Sequence, residues 1–312
     1  MPRHRPAAGY TLIDLLVVLV LVSAFALVLL LAMPRGREQA RLAACQKNLG
    51  QIGLALALYN DSQHSLPTIG RAGAVHGTGP ESAPGPLLTL LETFGLDNFQ
   101  GLAKNAPLPS PGGPVPGEVP VAGFFCASDP HATAGLFKAP VSYRAATGGD
   151  LFGQTGAFAP GRAMSLRQIE QGDGTSYTAG FSERLVGNGV DNDMKSLNYA
   201  TVAGPLPAER CTRAWIHQQK GHWHGDAGSS WRMADYRSTL YNHALPPDSP
   251  VSCVAADGQS AFMSASSGHD RGVNLLMLDG SVRLIRPTIA PPIWRGFASL
   301  PDPAAASKSS PE

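Results

Sequence analysis

An apolar run from Leu12 to Met33, broken by one carboxylate at Asp14 and led by the short basic segment Arg3-His4-Arg5, constrains this chain more than any other feature. About 20 consecutive apolar residues suffice for a membrane-crossing helix. A carboxylate inside such a helix costs a few kcal/mol on insertion scales, so Asp14 reads as a functional group. Behind the run, Leu42, Cys45, Leu49, Ile52, Leu56 and Tyr59 recur at alternating spacings of three and four, the apolar stripe of an amphipathic helix. Pro34 and Gly36 mark a bend between the two stretches, and Asn60-Asp61-Ser62 with Pro67 stops the second. The two stretches need different cover, lipid for the first and a protein core for the second.

The segment Gly9-Tyr10-Thr11-Leu12-Ile13-Asp14-Leu15-Leu16-Val17-Val18 resembles the prepilin-type cleavage and methylation segment of type IV pilins and type II secretion pseudopilins. The resemblance implies that a prepilin peptidase cuts between Gly9 and Tyr10 and that Tyr10 is N-methylated. It also implies that Asp14, standing where that family has glutamate, pairs with the N-terminal amine of a neighbouring subunit. A buried charge becomes tolerable when packing supplies its opposite. Asp14 is one methylene shorter than glutamate, and Ala8 replaces the basic residue often found before the glycine.

Further blocks follow in order: Cys45-Gln46-Lys47-Asn48-Leu49-Gly50-Gln51-Ile52-Gly53-Leu54-Ala55, Phe125-Cys126-Ala127-Ser128-Asp129-Pro130, Ser142-Tyr143-Arg144, and Gly172-Asp173-Gly174-Thr175-Ser176 with Glu183. Tyr241-Asn242-His243 and Pro246-Pro247-Asp248 come next, then His269, nine residues, and Asp279-Gly280. In this order they resemble a bacterial pseudopilin-like family that ends in a processing-associated H-X9-DG motif. The two resemblances imply an α+β, pilin-like fold, with a long N-terminal helix, membrane half plus amphipathic half, packed on an antiparallel β-rich C-terminal domain. On that reading residues 1–9 are a leader, 10–33 a transmembrane helix and 34–63 an amphipathic helix. Residues 64–286 form the exported β-rich domain and 287–312 a mobile tail.

Two plainer readings compete for the N-terminus. Ala24-Phe25-Ala26 supplies a secretory cleavage site, but the apolar core of such a signal is about 7–15 residues and uncharged, whereas this run is longer and holds Asp14. A simple signal anchor accounts for the length and not for Gly9, Thr11 and Asp14. Arg35, Arg37, Arg41 and Lys47 follow the run while Arg3 and Arg5 precede it, so loop charge runs against a cytoplasmic N-terminus, which the resemblance implies.

With 24 basic and 23 acidic residues and no basic stripe, nucleic acid is not an expected partner. The 35 glycines and 27 prolines favour short strands and many loops, with surface excursions at 70–86 and 106–120. Strands are expected at 123–126, 177–182, 273–278 and 281–285, the last two joined through Asp279-Gly280 as a type I′ hairpin. Four cysteines suit an oxidising compartment and allow three complete pairings. Cys211 with Cys253, which bracket a Trp-rich stretch, and Cys45 with Cys126 are the pairs expected. No C-x-x-C or Cys/His group at zinc spacing occurs, which argues against a structural metal.

No catalytic residue stands out. Asp279-Gly280 reads as a turn. His269 sits in a Gly/Ser/Asp-rich loop, where an imidazole locks the loop through a backbone carbonyl or touches a ligand; anchoring is the expectation. Cys126 with Asp129 and His131 has the residue types of a thiol nucleophile but no oxyanion-hole pattern around it. Ser176 is outside any G-x-S-x-G elbow. Asp173 with Glu170 and Glu183, or Asp191 with Asp193, offers oxygen ligands for Ca²⁺, although EF-hand spacing is missing and turn capping competes. His222-Trp223-His224 puts both rings on one face of a strand without an assignable third ligand, and with Trp215, His217 and Trp231 reads as core.

The expected function is that of a non-enzymatic pseudopilin or pilin-like structural subunit of a type II secretion or type IV pilus-like system. Its expected partners are prepilin peptidase, other pilin-like subunits and the inner membrane. It would cross that membrane once, with the C-terminal domain exported to the periplasm or cell surface. The alternative is a membrane-anchored module that binds glycan or peptide and does not polymerise. An anchored hydrolase using Cys126 or His269 ranks below both.

Overall fold

The computed structural model describes residues 12–69, 85–90 and 119–300, without the side chains of residues 28–35 and 88. The expected cleavage site at Gly9 and Tyr10, most of the two Gly/Pro-rich excursions, and residues 301–312 lie outside the described residues. The chain divides into two units, Met1–Arg41 and Leu42–Glu312.

Helix α1, Leu12–Gln63, continues through Pro34 and Gly36 without a break. In the first unit its large apolar side chains are exposed, from Leu12 and Ile13 through Val22 to Phe25 and Leu27. Among the described residues no helix is long and apolar enough to cross a membrane. The expected transmembrane stretch 10–33 falls only partly within them, since its described side chains end at residue 27.

In the second unit the α1 stripe is buried as its spacing predicts: Cys45, Leu49, Ile52, Ala55 and Leu56 are in the core and Tyr59 packs against it. The helix ends where expected. His64 adopts φ 56°, its N–H donates to the Asn60 carbonyl at 2.8 Å, and the Asn60 side chain accepts the Leu166 N–H at 2.9 Å. Short elements follow: α2 (Pro86–Leu90), a 3-10 turn (Ala122–Phe124), α3 (Pro130–Thr133), β1 (Tyr143–Ala146), α4 (Leu166–Gln171), β2 (Ala179–Glu183), β3 (Tyr199–Val202) and α5 (Arg213–Gln218). Then come β4 (His222–His224), β5 (Leu240–Tyr241), β6 (Cys253–Ala255), β7 (Ala261–Phe262), β8 (Val273–Met277), β9 (Val282–Ile285) and α6 (Pro291–Gly296).

The strands form a five-stranded sheet, β5-β1-β2-β8-β9, and a four-stranded sheet, β4-β3-β6-β7. The fold is α+β, but the sheets are mixed rather than antiparallel: β1 runs parallel to β5 and β3 parallel to β6. A main core joins the α1 stripe to the larger sheet, which contributes Phe181, Leu275, Leu276 and Met277 to it. A second core around Ile216, Trp223, Val251 and Phe262 serves the smaller sheet.

Three local expectations are corrected. In place of the strand at 123–126, Ala122–Phe124 turn as a 3-10 helix and residues 125–126 follow outside any strand, which brings Phe124 edge-on to buried Trp231 at 5.9 Å and Cys126 to Cys45. The β8–β9 hairpin is not type I′. Only Gly280 has positive φ, at 86°, and its N–H donates to the Met277 carbonyl at 3.0 Å, the arrangement of a three-residue loop closed by a left-handed glycine. Finally, the chain from 287 is packed as far as 300: α6 buries Trp294, and Ala298 and Leu300 follow it into the core.

Candidate functional site

Among the described residues, a group of four potential metal-ligating side chains lies beneath the α1 stripe. Cys45 on α1 and Cys126 in the loop after the 3-10 turn form a disulfide with Cα atoms 5.1 Å apart. His269 Nε2 is 3.3 Å from Cys126 Sγ and 3.7 Å from Glu183 Oε1, and all four residues are buried. Four separate segments meet here, and the backbone between them explains how. Glu183 ends β2, and β2 pairs with β8, placing Asn274 beside it. Asn274 donates its backbone N–H to Glu183 Oε2 and its Nδ2–H to Oε1, both at 2.9 Å, while its own Oδ1 accepts Gln46 Nε2 of α1 at 3.1 Å. Tyr143, across from Glu183 in the β1–β2 register, donates its hydroxyl to the Cys45 carbonyl at 3.4 Å. A Cβ at Gly268 would strike the Ser128 carbonyl, so glycine lets the His269 loop lie against the Cys126 loop.

Burial raises the Glu183 carboxyl above its ordinary range, and the Asn274 hydrogen bonds and the His269 ring pull it back. Burial, with the Glu183 charge next, also raises the Tyr143 hydroxyl. The ligand atoms of Cys45, Cys126, Glu183 and His269 lie within 4.8 Å of one another, and among the described residues this group could hold a metal ion.

The second half of the H-X9-DG motif does something else. The Asp279 N–H donates to the Thr175 carbonyl at 3.2 Å and Arg283 Nη2 to the Ser176 carbonyl at 2.8 Å, so the Asp173-Gly174-Thr175-Ser176 loop is the dock for the β8–β9 hairpin. Gly174, at φ 87°, makes the turn that aims those carbonyls. The Asp279 carboxylate accepts the Ser281 N–H at 2.8 Å, the capping role its dipeptide suggests. The hairpin also borders a cavity of about 730 Å³ lined by Gly50, Gly53 and Ala57 of α1.

The remaining candidates separate. Asp173 is exposed on its loop and stands outside the Glu183 group, so the calcium pair is not brought together. Asp191 accepts the Gly225 N–H at 2.9 Å, tying its loop to the residue after β4, and Asp193 pairs with the side chains of Asn188, Nδ2 at 2.7 Å, and Lys195, at 3.1 Å. Cys126, Asp129 and His131 make no nucleophile set. Asp129 caps α3 through the His131 and Ala132 N–H groups and takes the Ser142 hydroxyl at 2.8 Å, while the imidazole at Cys126 belongs to His269. His222 and His224 share a face with ring centroids 4.6 Å apart, and His224 bonds the Thr201 hydroxyl at 2.7 Å and stacks on Tyr199. Among the described residues no third ligand joins them. Cys211 and Cys253 form the other disulfide, Cα atoms 6.4 Å apart, beside Trp223 in the second core.

Sequence reasoning missed the partners of Tyr241-Asn242-His243. His243 stacks on Trp294 with centroids 3.6 Å apart, accepts or donates at Tyr241 Oη through Nε2 at 2.8 Å, and meets the Trp294 carbonyl through Nδ1 at 2.7 Å. The signal available was the lone Trp294 after Pro291-Pro292, a large apolar side chain with a helix-starting proline in a segment read as tail. Arg144 and Arg184 are also fully buried; they donate to the Tyr236 and Ser264 carbonyls at 3.0 and 2.8 Å, and burial lowers both, Arg144 to about 10.

No curated protein and no solved structure matches the chain. One family model does, over residues 34–291, which takes in the second half of α1, both sheets and the whole buried cluster. By that match the chain belongs to the SBP_bac_10 family, described as protein of unknown function (DUF1559).

Proposed function

We propose that the protein is a pilin-like structural subunit, cut between Gly9 and Tyr10, held in the inner membrane by the first part of α1, and displaying the two-sheet domain outside. The observation that carries this reading is the change of character along one helix. From Leu12 to Leu27 its large apolar side chains are exposed on every side, and from Cys45 to Leu56 it shows one buried stripe. A helix apolar all round needs lipid or other helices around it. Both disulfides support export to an oxidising compartment. In the assembly, Asp14 would take a neighbour's N-terminal amine and set the stagger between subunits. The domain would act by presenting a surface, without turnover.

Intact mass and N-terminal sequencing of the protein from its native membrane test the reading. N-methylated Tyr10 at the terminus is the expected result. A start at Leu27 would mean that the Ala24-Phe25-Ala26 site is used, and the pilin reading would fall. Two adjoining cavities of about 610 and 340 Å³, which share Glu209, Ala244 and Arg295, favour the second reading, an anchored glycan- or peptide-binding module. Asp14→Leu separates the two: assembly is abolished in a subunit, and ligand capture is unaffected in a monomeric module.

A further inference from the structure

Zinc ligands in proteins are thiolate sulfur, imidazole nitrogen and carboxylate oxygen, with bonds of about 2.0–2.3 Å that place ligand atoms about 3.3–3.8 Å apart in a tetrahedron. The buried cluster gathers that donor set, and two of its spacings are of that order, His269 Nε2 lying 3.3 Å from Cys126 Sγ and 3.7 Å from Glu183 Oε1, while the two sulfurs, bonded to each other, would part on reduction. The sulfur atoms of Cys45 and Cys126 complete a group spanning 4.8 Å. We propose that Cys45, Cys126, His269 and Glu183 form a redox-gated site that binds a divalent zinc-like cation when the two cysteines are thiols and releases it when they form the disulfide.

Several features suit the site to an ion. Asn274, fixed by Gln46 of α1, orients Glu183 with two hydrogen bonds, the kind of outer support that metal-ligating carboxylates have. The ligands come from α1, the Cys126 loop, β2 and the loop before β8, so a metal would brace the segments that the disulfide braces. The site therefore offers two cross-links for two redox states. The newly made chain carries thiols, since disulfides form only after export.

The chemistry balances as follows. A dithiol reductant gives two electrons and two protons to the disulfide, and itself becomes a disulfide. The two cysteine thiols then lose their protons to water as two metal–sulfur bonds form, His269 supplies the Nε2 lone pair, and Glu183 supplies a carboxylate oxygen. Oxidation by a disulfide oxidant reverses this: each cysteine sulfur gives up one electron, the S–S bond forms, and the cation leaves. The inference does not depend on whether the protein assembles.

The test uses the full chain in detergent carrying Cys211→Ser and Cys253→Ser, so that Cys45–Cys126 is its only disulfide. Co²⁺ and Zn²⁺ are the probes. The reduced protein should take up one equivalent of Co²⁺ with thiolate-to-cobalt charge-transfer absorption and the visible bands of tetrahedral cobalt, and Zn²⁺ should displace it. The oxidised protein should show neither. His269→Ala and Glu183→Gln should each weaken binding at least tenfold. Absence of uptake by the reduced protein, equal uptake in both redox states, or full affinity in both variants would overturn the proposal. Should a variant fail to fold, the reduced-against-oxidised comparison decides by itself.

Discussion

Asn274 shows how one side chain can hold a buried carboxylate: it feeds Glu183 through both of its N–H groups and ties the pair to Gln46 of α1. Asn274→Ala removes one of the two donors from the buried Glu183 carboxyl and leaves an oxygen without its partner. Such a loss costs about 1–3 kcal/mol, so urea titration should show a loss of about 2 kcal/mol with an unchanged slope. His243 yields a pH prediction. Burial pushes its imidazole down to about 3 from an ordinary 6.5, so the native state stays neutral while the unfolded chain takes up a proton. Its contribution is intact above pH 6.5 and is lost as pH falls from there towards 3, at no more than about 1.4 kcal/mol per pH unit. Comparing wild type with His243→Gln between pH 6.5 and 4 should show a shallower fall of stability in the variant. Equal slopes would mean that the ring is protonated in the native state. The type of these residues was legible, and Glu183 and His269 stood out through a resemblance. Their meeting was not, because 85 residues of intervening chain separate them and only strand pairing between β2 and β8 closes that distance.

At the level of elements, α1 is placed by its stripe and by one glycine. A Cβ on Gly53 would lie 2.9 Å from Leu276 Cδ1 and 3.3 Å from the Gly280 Cα, so the helix approaches the β8–β9 hairpin where it has no side chain. Gly53→Leu should cost about 1–3 kcal/mol by overpacking, read as a lowered unfolding midpoint, despite leucine's better helix propensity. At the other end, α6 is held by Trp294, fully buried, with its indole N–H on the Leu245 carbonyl at 2.8 Å. Trp294→Ala should cost about 3–5 kcal/mol and free the segment from 287 onward to protease. The helix was readable from periodicity because α1 repeats one pattern for many turns. The hairpin was readable from its alternation, but its turn type was not, since loop length depends on where pairing stops. The 3-10 turn at Ala122–Phe124 was missed because its apolar residues answer to Trp231, distant in sequence.

For the whole molecule, the Cys45–Cys126 disulfide joins α1 to the sheet domain across a sequence separation of 81. Loop-closure entropy for such a cross-link amounts to about 4.5 kcal/mol, so Cys45→Ser with Cys126→Ser should lower thermal stability more than any single substitution at its rim. By itself the sequence determined the long helix, its division into an apolar stretch and a striped one, and three of the strands, all of which follow from local periodicity that neighbouring residues enforce without help; the α+β class came with the family resemblance. Only the tertiary structure decided that the sheets are mixed, that α6 packs, and that His269 faces Glu183 and Cys126 while Asp279 faces Thr175. Those outcomes depend on which distant strands pair and on where buried polar groups find partners, and no local pattern encodes either.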